Sequence, residues 1–382
     1  MGNALLRGLS LAVCTVVVPL ASGQTDATKV DPNMRVKKVV TDNVTWHDPR
    51  QAPFRLLGFK WFAQDSVYRR LPVKPKHAIS AAVNGLANHT AGGQVQFRTD
   101  SRRIQVRVSL DGNRPMYHMA QTGKCGFDIY TGEPGEQVFA GVSRFSGGAA
   151  EYVARLATNS TGKVQQYTIN FPLYNGVRSV EVGLVTGAKV EAPSPLVDDR
   201  AIVVYGTSIT QGGCASRPGM CYTNILSRHL NREVVNLGFS GSGKGEPELA
   251  RLIGEIGNKA MVVIDIEANT HGKLRKVLKP FIGELREINH DVPILVVSRI
   301  PLSRDATPRG LAQRRSLRDF QKGLVESLRE AGDEYVHFQD GKDLLLEKWA
   351  HEATVDGTHP TDLGFIMMAD ALAPVIARIL RE

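Results

Sequence analysis

Residues 200–382 alternate between two kinds of hydrophobic pattern, and that alternation leaves few folds open. Ile202–Tyr205, Val234–Asn236, Met261–Ile266, Ile294–Ser298 and Tyr335–Phe338 are compact apolar runs rich in Val and Ile. Stripes of helical period lie among them. Leu249, Leu252, Ile253 and Ile256 recur at i, i+3, i+4 and i+7, Leu317, Phe320, Leu324 and Leu328 keep the same helical face at i, i+3, i+7 and i+11, and Met368, Leu372, Val375, Ile376 and Ile379 form the last stripe. Strands alternating with helices are βαβ units, which build a parallel sheet covered on both faces, a three-layer α/β/α domain. Ligands bind such sheets beyond the carboxyl ends of the strands, so the chemistry is expected along that edge.

The front half reads differently. Between residues 30 and 191, short strands are broken by turn residues: Gln94–Thr99, Ile104–Leu110, Phe127–Tyr130, Gln166–Phe171 and Ser179–Leu184. Ile104, Val106 and Val108 alternate with Gln105, Arg107 and Ser109, the period of a half-buried strand. Asp111–Gly112 and Asn175–Gly176 are turn dipeptides of the hairpin kind. The pattern predicts a β-sandwich or jelly roll over 30–191. Residues 192–199, with Pro193 and Pro195, read as a linker to the α/β domain at 200–382.

Residues 1–23 read as a signal peptide rather than as fold. Arg7 precedes an almost wholly apolar Leu9–Leu20, and Ala21, Ser22 and Gly23 supply the small residues of a cleavage site. The apolar stretch is shorter than the ~20 residues of a spanning helix, and no later one is as long, so no integral membrane segment is expected after cleavage. The implied location is secreted or periplasmic. The formal charge is +9, but the basic residues are scattered, with no recognition helix and no aromatic RNA-binding motif, so no nucleic-acid partner is expected. Cys14 lies in the leader; Cys125, Cys214 and Cys221 remain. Cys214 and Cys221 flank a segment containing Pro218–Gly219 and could close a disulfide loop or stay free thiols. The cysteines lack metal-ligand spacing, so no metal is expected.

Polar loops follow the apolar runs: Gly206-Thr-Ser-Ile-Thr, Gly238-Phe-Ser-Gly-Ser-Gly, Glu267-Ala-Asn-Thr-His, and Asp356-Gly-Thr-His-Pro before the final helix. A serine hydroxyl becomes a nucleophile when a base takes its proton. Ser208 sits just past a strand end, where Gly206 lets the chain turn tightly. His359 is the candidate base, Asp356 can orient its ring, and Pro360 disfavours helix at His359. Thr361 or Asp362 can cap the helix that follows. Acyl transfer also needs donors aimed at a developing oxyanion, and the N–H groups of Ser208 and Gly241 and the amide of Asn269 are available. His271 and Arg299 lie near the same edge, as substrate contacts or as structural residues.

These ordered blocks resemble those of the SGNH (GDSL-type) hydrolases, whose Ser, Gly, Asn and His correspond to Ser208, Gly241, Asn269 and His359. The resemblance implies Ser208, Asp356 and His359 as catalytic residues, and Ser208, Gly241 and Asn269 as the oxyanion hole. The front half resembles the β-domain of a bacterial subgroup with a Gly-x-Asp-Leu-Tyr motif, here Gly126-Phe-Asp-Ile-Tyr, and Phe171-Pro-Leu-Tyr-Asn-Gly-Val is also typical of it. Two departures stand out: Thr207 replaces the usual Asp before the nucleophile, and Glu267-Ala268 replaces the Gly usually preceding Asn269.

Such proteins resemble carbohydrate esterases, which implies an acetylated polysaccharide or oligosaccharide as substrate, an acyl-Ser208 intermediate and no cofactor. A lipase or lysophospholipase is the first alternative, and a non-catalytic glycan-binding protein on a hydrolase scaffold the second. Gly238-Phe-Ser-Gly-Ser-Gly-Lys-Gly also approaches a phosphate-cradling loop, but Gly245 stands where magnesium binding needs Ser or Thr.

Overall fold

In the computed structural model, which describes residues 25–36 and 38–381, the apolar runs of the back half form one five-stranded parallel sheet. In sheet order its strands are Val234–Gly238, Ala201–Gly206, Lys259–Asp265, Ile294–Val297 and Val336–Gln339. Chain order therefore reverses beside Ala201–Gly206, which pairs with both Val234–Gly238 and Lys259–Asp265. A reversal of this kind opens a crevice at the carboxyl edge.

Alternation within single strands explains the two covered faces. Ile202, Val204, Met261 and Val263 pack with the helices Tyr222–Leu230 and Asp362–Ile379. Val203, Tyr205, Val262 and Ile264 pack on the opposite face with Pro247–Gly254 and Leu274–Ile288, and Val325 of Pro308–Glu330 joins them. Both faces are buried over the central strands, so Ile202–Tyr205, Met261–Ile264 and Ile294–Val297 are apolar throughout, whereas the edge strand Val336–Gln339 is half-buried and carries His337 and Gln339.

The front half is a sandwich of two antiparallel sheets. One orders Val44–His47, Val177–Val185, Arg103–Leu110 and Glu151–Thr158. The other runs Val190–Glu191, Gln94–Thr99, Gln165–Asn170, Asp128–Thr131 and Val138–Val142, with Arg55–Leu57 also paired to Gln94–Thr99. Ile104, Val106 and Val182 of the first sheet meet Val95, Phe97 and Ile169 of the second in one core.

The two turn dipeptides do not form hairpins. Asp111–Gly112 opens a long connection to Gln121–Lys124, and Asn175–Gly176 carries the chain from one sheet to the other. They pack together instead: Asp111 N–H donates to the Gly176 carbonyl at 3.0 Å. A turn dipeptide marks a reversal, but which strands flank it is settled by sheet pairing.

Residues 192–200 carry neither helix nor strand, yet Lys38–Glu382 forms one compact unit. The Gly126-Phe-Asp-Ile-Tyr segment helps unite it. Buried Asp128 accepts from Arg217 at 2.8 Å and from Gly219 N–H at 2.8 Å, and Arg217 also donates to the Tyr130 hydroxyl at 2.6 Å. Arg70, fully buried, donates to the carbonyls of His89, Leu86, Asn236 and Gly238. Residues 25–36 hold a one-turn helix, Ala27–Val30, capped by Asp26. The expected leader and Cys14 lie outside the described residues. No described helix is long and apolar enough to cross a membrane. Cys125, Cys214 and Cys221 are all free thiols, so the disulfide alternative for Cys214 and Cys221 is not realised.

Candidate active site

The strand Ala201–Gly206 runs into the short helix Ser208–Gln211. The strand's last residue, Gly206, has to be glycine because a Cβ there would lie 2.0 Å from Thr210 Oγ1 and 2.7 Å from the Asp265 carbonyl. Thr207 is the cap residue of this helix, its hydroxyl accepting from Ile209 N–H at 3.3 Å. That capping accounts for how the chain manages without the expected Asp. Beneath the turn, Thr210 Oγ1 and the Tyr222 hydroxyl donate to Asp265 Oδ2 at 3.2 and 3.3 Å. Burial pushes the Asp265 carboxyl up to about 6.

His359 Nε2 lies 2.9 Å from Ser208 Oγ, and His359 Nδ1 lies 2.8 Å from Asp356 Oδ2. The second carboxylate oxygen of Asp356 accepts from the N–H groups of His359 and Thr358 at 2.8 and 3.0 Å. Burial by itself would raise the Asp356 pKa, but these bonds and the His359 ring outweigh it and hold the carboxyl below its usual range. The loop closes on itself through Val355 N–H to the His359 carbonyl at 2.8 Å. Thr361 caps the final helix, as expected, while Asp362 instead accepts from the Ser216 N–H at 2.8 Å.

The second loop is drawn against the first. Phe239 N–H donates to the Gly206 carbonyl at 3.0 Å, and Ser240 N–H to Gln211 Oε1 at 3.0 Å. Gly243 is obligatory, since a Cβ there would lie 1.9 Å from the Gly206 carbonyl oxygen. Gly241, at φ +65°, stands on the open side with nothing within 4 Å of a Cβ position. Asn269, 7% exposed, donates its amide to the Phe239 carbonyl at 3.2 Å, which ties the third loop to the second. The phosphate-cradle alternative fails here. Ser242 and Gly243 N–H groups bond Phe239, and those of Lys244 and Gly245 bond the Tyr205 hydroxyl, so they are not turned toward a ligand.

Glu267 takes a structural part where a glycine was expected. Its Oε2 accepts from Arg299 N–H at 3.0 Å and Gln321 Nε2 at 2.8 Å. Arg299 is 4% exposed, with its guanidinium on both Asp305 oxygens at 2.7 and 2.6 Å. Of the two roles expected for it, these contacts speak against substrate contact and for the structural one: its donors are spent on internal carboxylates. His271 is exposed, at φ +47°, two residues past Asn269.

Three residues from the front half reach the site, and of these Tyr174 alone lies in a motif noted in the sequence, Phe171-Pro-Leu-Tyr-Asn-Gly-Val. Tyr174 donates its hydroxyl to the Ser208 carbonyl at 3.2 Å. His89 Nδ1 lies 3.0 Å from Gln211 Nε2. That nitrogen is the acceptor, and burial, then the Arg70 charge, pushes His89 down to about 4 and keeps it neutral. His118 sets its ring edge-on to His359 at a centroid distance of 5.3 Å, and Tyr117 stacks on His118 at 4.3 Å. A cavity of about 420 Å³, lined in part by His89, Arg114, Met116 and Tyr174, adjoins this corner.

Comparison with known proteins agrees with the geometry. Residues 199–377 match the GDSL-like Lipase/Acylhydrolase family, and residues 44–190 match the N-terminus of SGNH-hydrolase-type esterases. A Bacteroides ovatus protein described as a GDSL-like lipase is 28% identical, with TM-score 0.78 over 89% of this chain and 98% of that one. The salicylyl-acyltransferase SsfX3 of a tetracycline biosynthetic pathway is 19% identical, with TM-score 0.68 over 88% and 98%. A family two carbohydrate esterase from Clostridium thermocellum, in complex with cellohexaose, is 19% identical, with TM-score 0.52 over 76% and 93%. Among curated proteins, none matches the chain in sequence.

Proposed function

Since the chain belongs to the GDSL-like lipase/acylhydrolase family and carries the N-terminal region of SGNH-type esterases, we propose that it is an exported serine esterase that removes O-acyl groups, acetyl above all, from a polysaccharide or oligosaccharide. The observation that carries the reading is the continuous relay from Asp356 through His359 to Ser208, at 2.8 and 2.9 Å.

In this reading Ser208 Oγ attacks the acyl carbonyl while His359 Nε2 takes its proton. The carbonyl π pair moves to oxygen, facing the Ser208 and Gly241 N–H groups and the remaining N–H of Asn269. The tetrahedral intermediate expels the sugar oxygen, which leaves with the proton from His359, and the acyl group stays on Ser208. Water then attacks the acyl-serine by the same route and frees the acid. Asp356 stays ionised, fixing the ring tautomer and stabilising the imidazolium.

Two features support a glycan substrate. Tyr117 is 92% exposed and stacks on His118, whose ring in turn meets His359 edge-on, which leaves an open aromatic face near the site on which a sugar ring can stack. The Clostridium esterase, which shares the fold, holds cellohexaose. The apolar leader at 1–23 supports export, which would bring the enzyme to extracellular polysaccharide.

Acetate release from acetylated xylan, pectin and glucomannan tests the reading. Ser208→Ala should lower it by about 10⁴-fold or more, and the same change should abolish labelling by a fluorophosphonate. Full acetate release by Ser208→Ala would overturn the mechanism. A strong preference for long-chain acyl esters over every acetylated glycan would overturn the substrate class.

A further inference from the structure

We propose that His118, Cys214 and His359 form a binding site for a borderline-soft divalent transition-metal ion, typified by Zn²⁺, whose occupation switches the esterase off. Metal binding needs only the geometry described here; the switching rests on the proposed role of His359 as base.

One ligand atom from each of the three residues lies within 4.8 Å of the other two. Two imidazole nitrogens and one thiol sulfur are a donor set that zinc takes, with an open fourth position for water. Zinc distances of about 2.1 Å to nitrogen and 2.3 Å to sulfur bring such atoms to roughly 3.5 Å apart. Side-chain rotations of about 1 Å at the ligand atoms would therefore close the site.

Each ligand is prepared in a different way. His118 Nδ1 is buried without a hydrogen-bond partner, a lone polar atom that burial ordinarily penalises. On its other side, His118 Nε2 stands 4.0 Å from Asp356 Oδ2, too long for a hydrogen bond. Cys214 is a free thiol, held beside His359 because its N–H donates to the Pro360 carbonyl at 3.2 Å. His359 has Nδ1 bonded to Asp356, the carboxylate–histidine arrangement that orients metal-binding imidazoles, and its Nε2 is held by Ser208 Oγ at 2.9 Å, so an ion taking Nε2 competes directly with Ser208.

On binding, the Cys214 S–H bond breaks, its proton goes to solvent, and sulfur, His118 and His359 each donate an electron pair to the ion. No oxidation occurs. The His359 Nε2 pair is then unavailable to the Ser208 proton, and ester cleavage stops. A chelator reverses the step.

The test uses the full chain stripped of metal, with Co²⁺ as a spectroscopic stand-in for Zn²⁺. The wild-type protein should develop the thiolate-to-cobalt charge-transfer band and the intense visible bands of a four-coordinate site, displaced by Zn²⁺. Cys214→Ser should lose the charge-transfer band, and His118→Gln should weaken binding by roughly tenfold or more. Ser208→Ala should bind as the wild type does. In ester hydrolysis, Zn²⁺ should inhibit the wild type reversibly, while Cys214→Ser stays active and resists it, and His118→Gln, whose ring packs on His359, should resist zinc relative to its own zinc-free rate. Absence of the band in wild type, its persistence in Cys214→Ser, or equal zinc inhibition of all three proteins would overturn the proposal. Cobalt binding in a protein that cleaves no ester would instead leave the metal site standing and remove the esterase reading.

Discussion

The Tyr174 hydroxyl, on a loop of the antiparallel half, donates to the backbone carbonyl of Ser208 at 3.2 Å. The front sandwich thereby touches the residue that carries the proposed nucleophile. Burial pushes the Tyr174 phenol far above its usual range, so it stays a donor at any working pH. Tyr174→Phe removes this one bond and is expected to cost about 1 kcal/mol of stability. Denaturant unfolding would measure that loss. Ester hydrolysis should fall far less than in Ser208→Ala, because the hydroxyl positions the backbone and touches no reacting atom.

Asn269 should matter to rate rather than to binding. Asn269→Ala deletes one proposed oxyanion donor and the amide bond to Phe239, and should lower kcat by about 10²- to 10³-fold with KM little changed. Steady-state kinetics on a small acetyl ester would measure this. A matching rise in KM with kcat intact would place Asn269 in ground-state binding instead.

Two buried groups give stability opposing pH dependences. Asp265 holds its proton up to about 6, against 3.8 for a free carboxyl. The folded chain then binds more protons than the unfolded one, and the stability this brings at acid pH is lost as pH rises through about 6. His89 sits at about 4 against 6.5, so the unfolded chain is protonated first and stability is lost as pH falls through that window. Each shift of roughly two units corresponds to about 3 kcal/mol, so the two effects largely cancel between them. Relative to wild type, Asp265→Asn should lose stability on acidification from pH 6 to 4, and His89→Gln should gain it. Thermal melts across that range would show the divergence, and parallel curves would refute it.

Asp128 joins the two halves where Arg217 and Gly219 meet it. Asp128→Ala leaves a largely buried guanidinium without its carboxylate and should cost about 3 kcal/mol or more. Asp128→Asn, which retains an acceptor, should recover part of that. Unfolding measurements on the two variants and on wild type give the comparison.

Local pattern was enough to place the parallel strands, because a strand buried on both faces must be apolar throughout. It also placed five of the ten described sandwich strands within a few residues, Gln94–Thr99 and Arg103–Leu110 among them, but named neither Glu151–Thr158 nor the short strands Val44–His47, Arg55–Leu57, Val138–Val142 and Val190–Glu191. It failed for Asp111–Gly112 and Asn175–Gly176, since a turn dipeptide carries no information about which strand comes next to which. Arg299 was left open between substrate contact and structural residue for a related reason: its sequence position put it at the edge, but only packing showed Asp305 and Glu267 enclosing it.

The sequence by itself determined whatever is written at short range. It set the alternation of strand and helix, the serine past a strand end, and an aspartate three residues before a histidine in one loop. Only the tertiary structure decided that this histidine meets a serine 151 residues away, that Cys125, Cys214 and Cys221 stay unbridged, and that His118, His89 and Tyr174 arrive from another half of the chain. The reason is physical. Periodicity reports which way a side chain faces its own element, whereas a contact between distant loops depends on strand order and on the packing of one half against the other, and neither leaves a local mark.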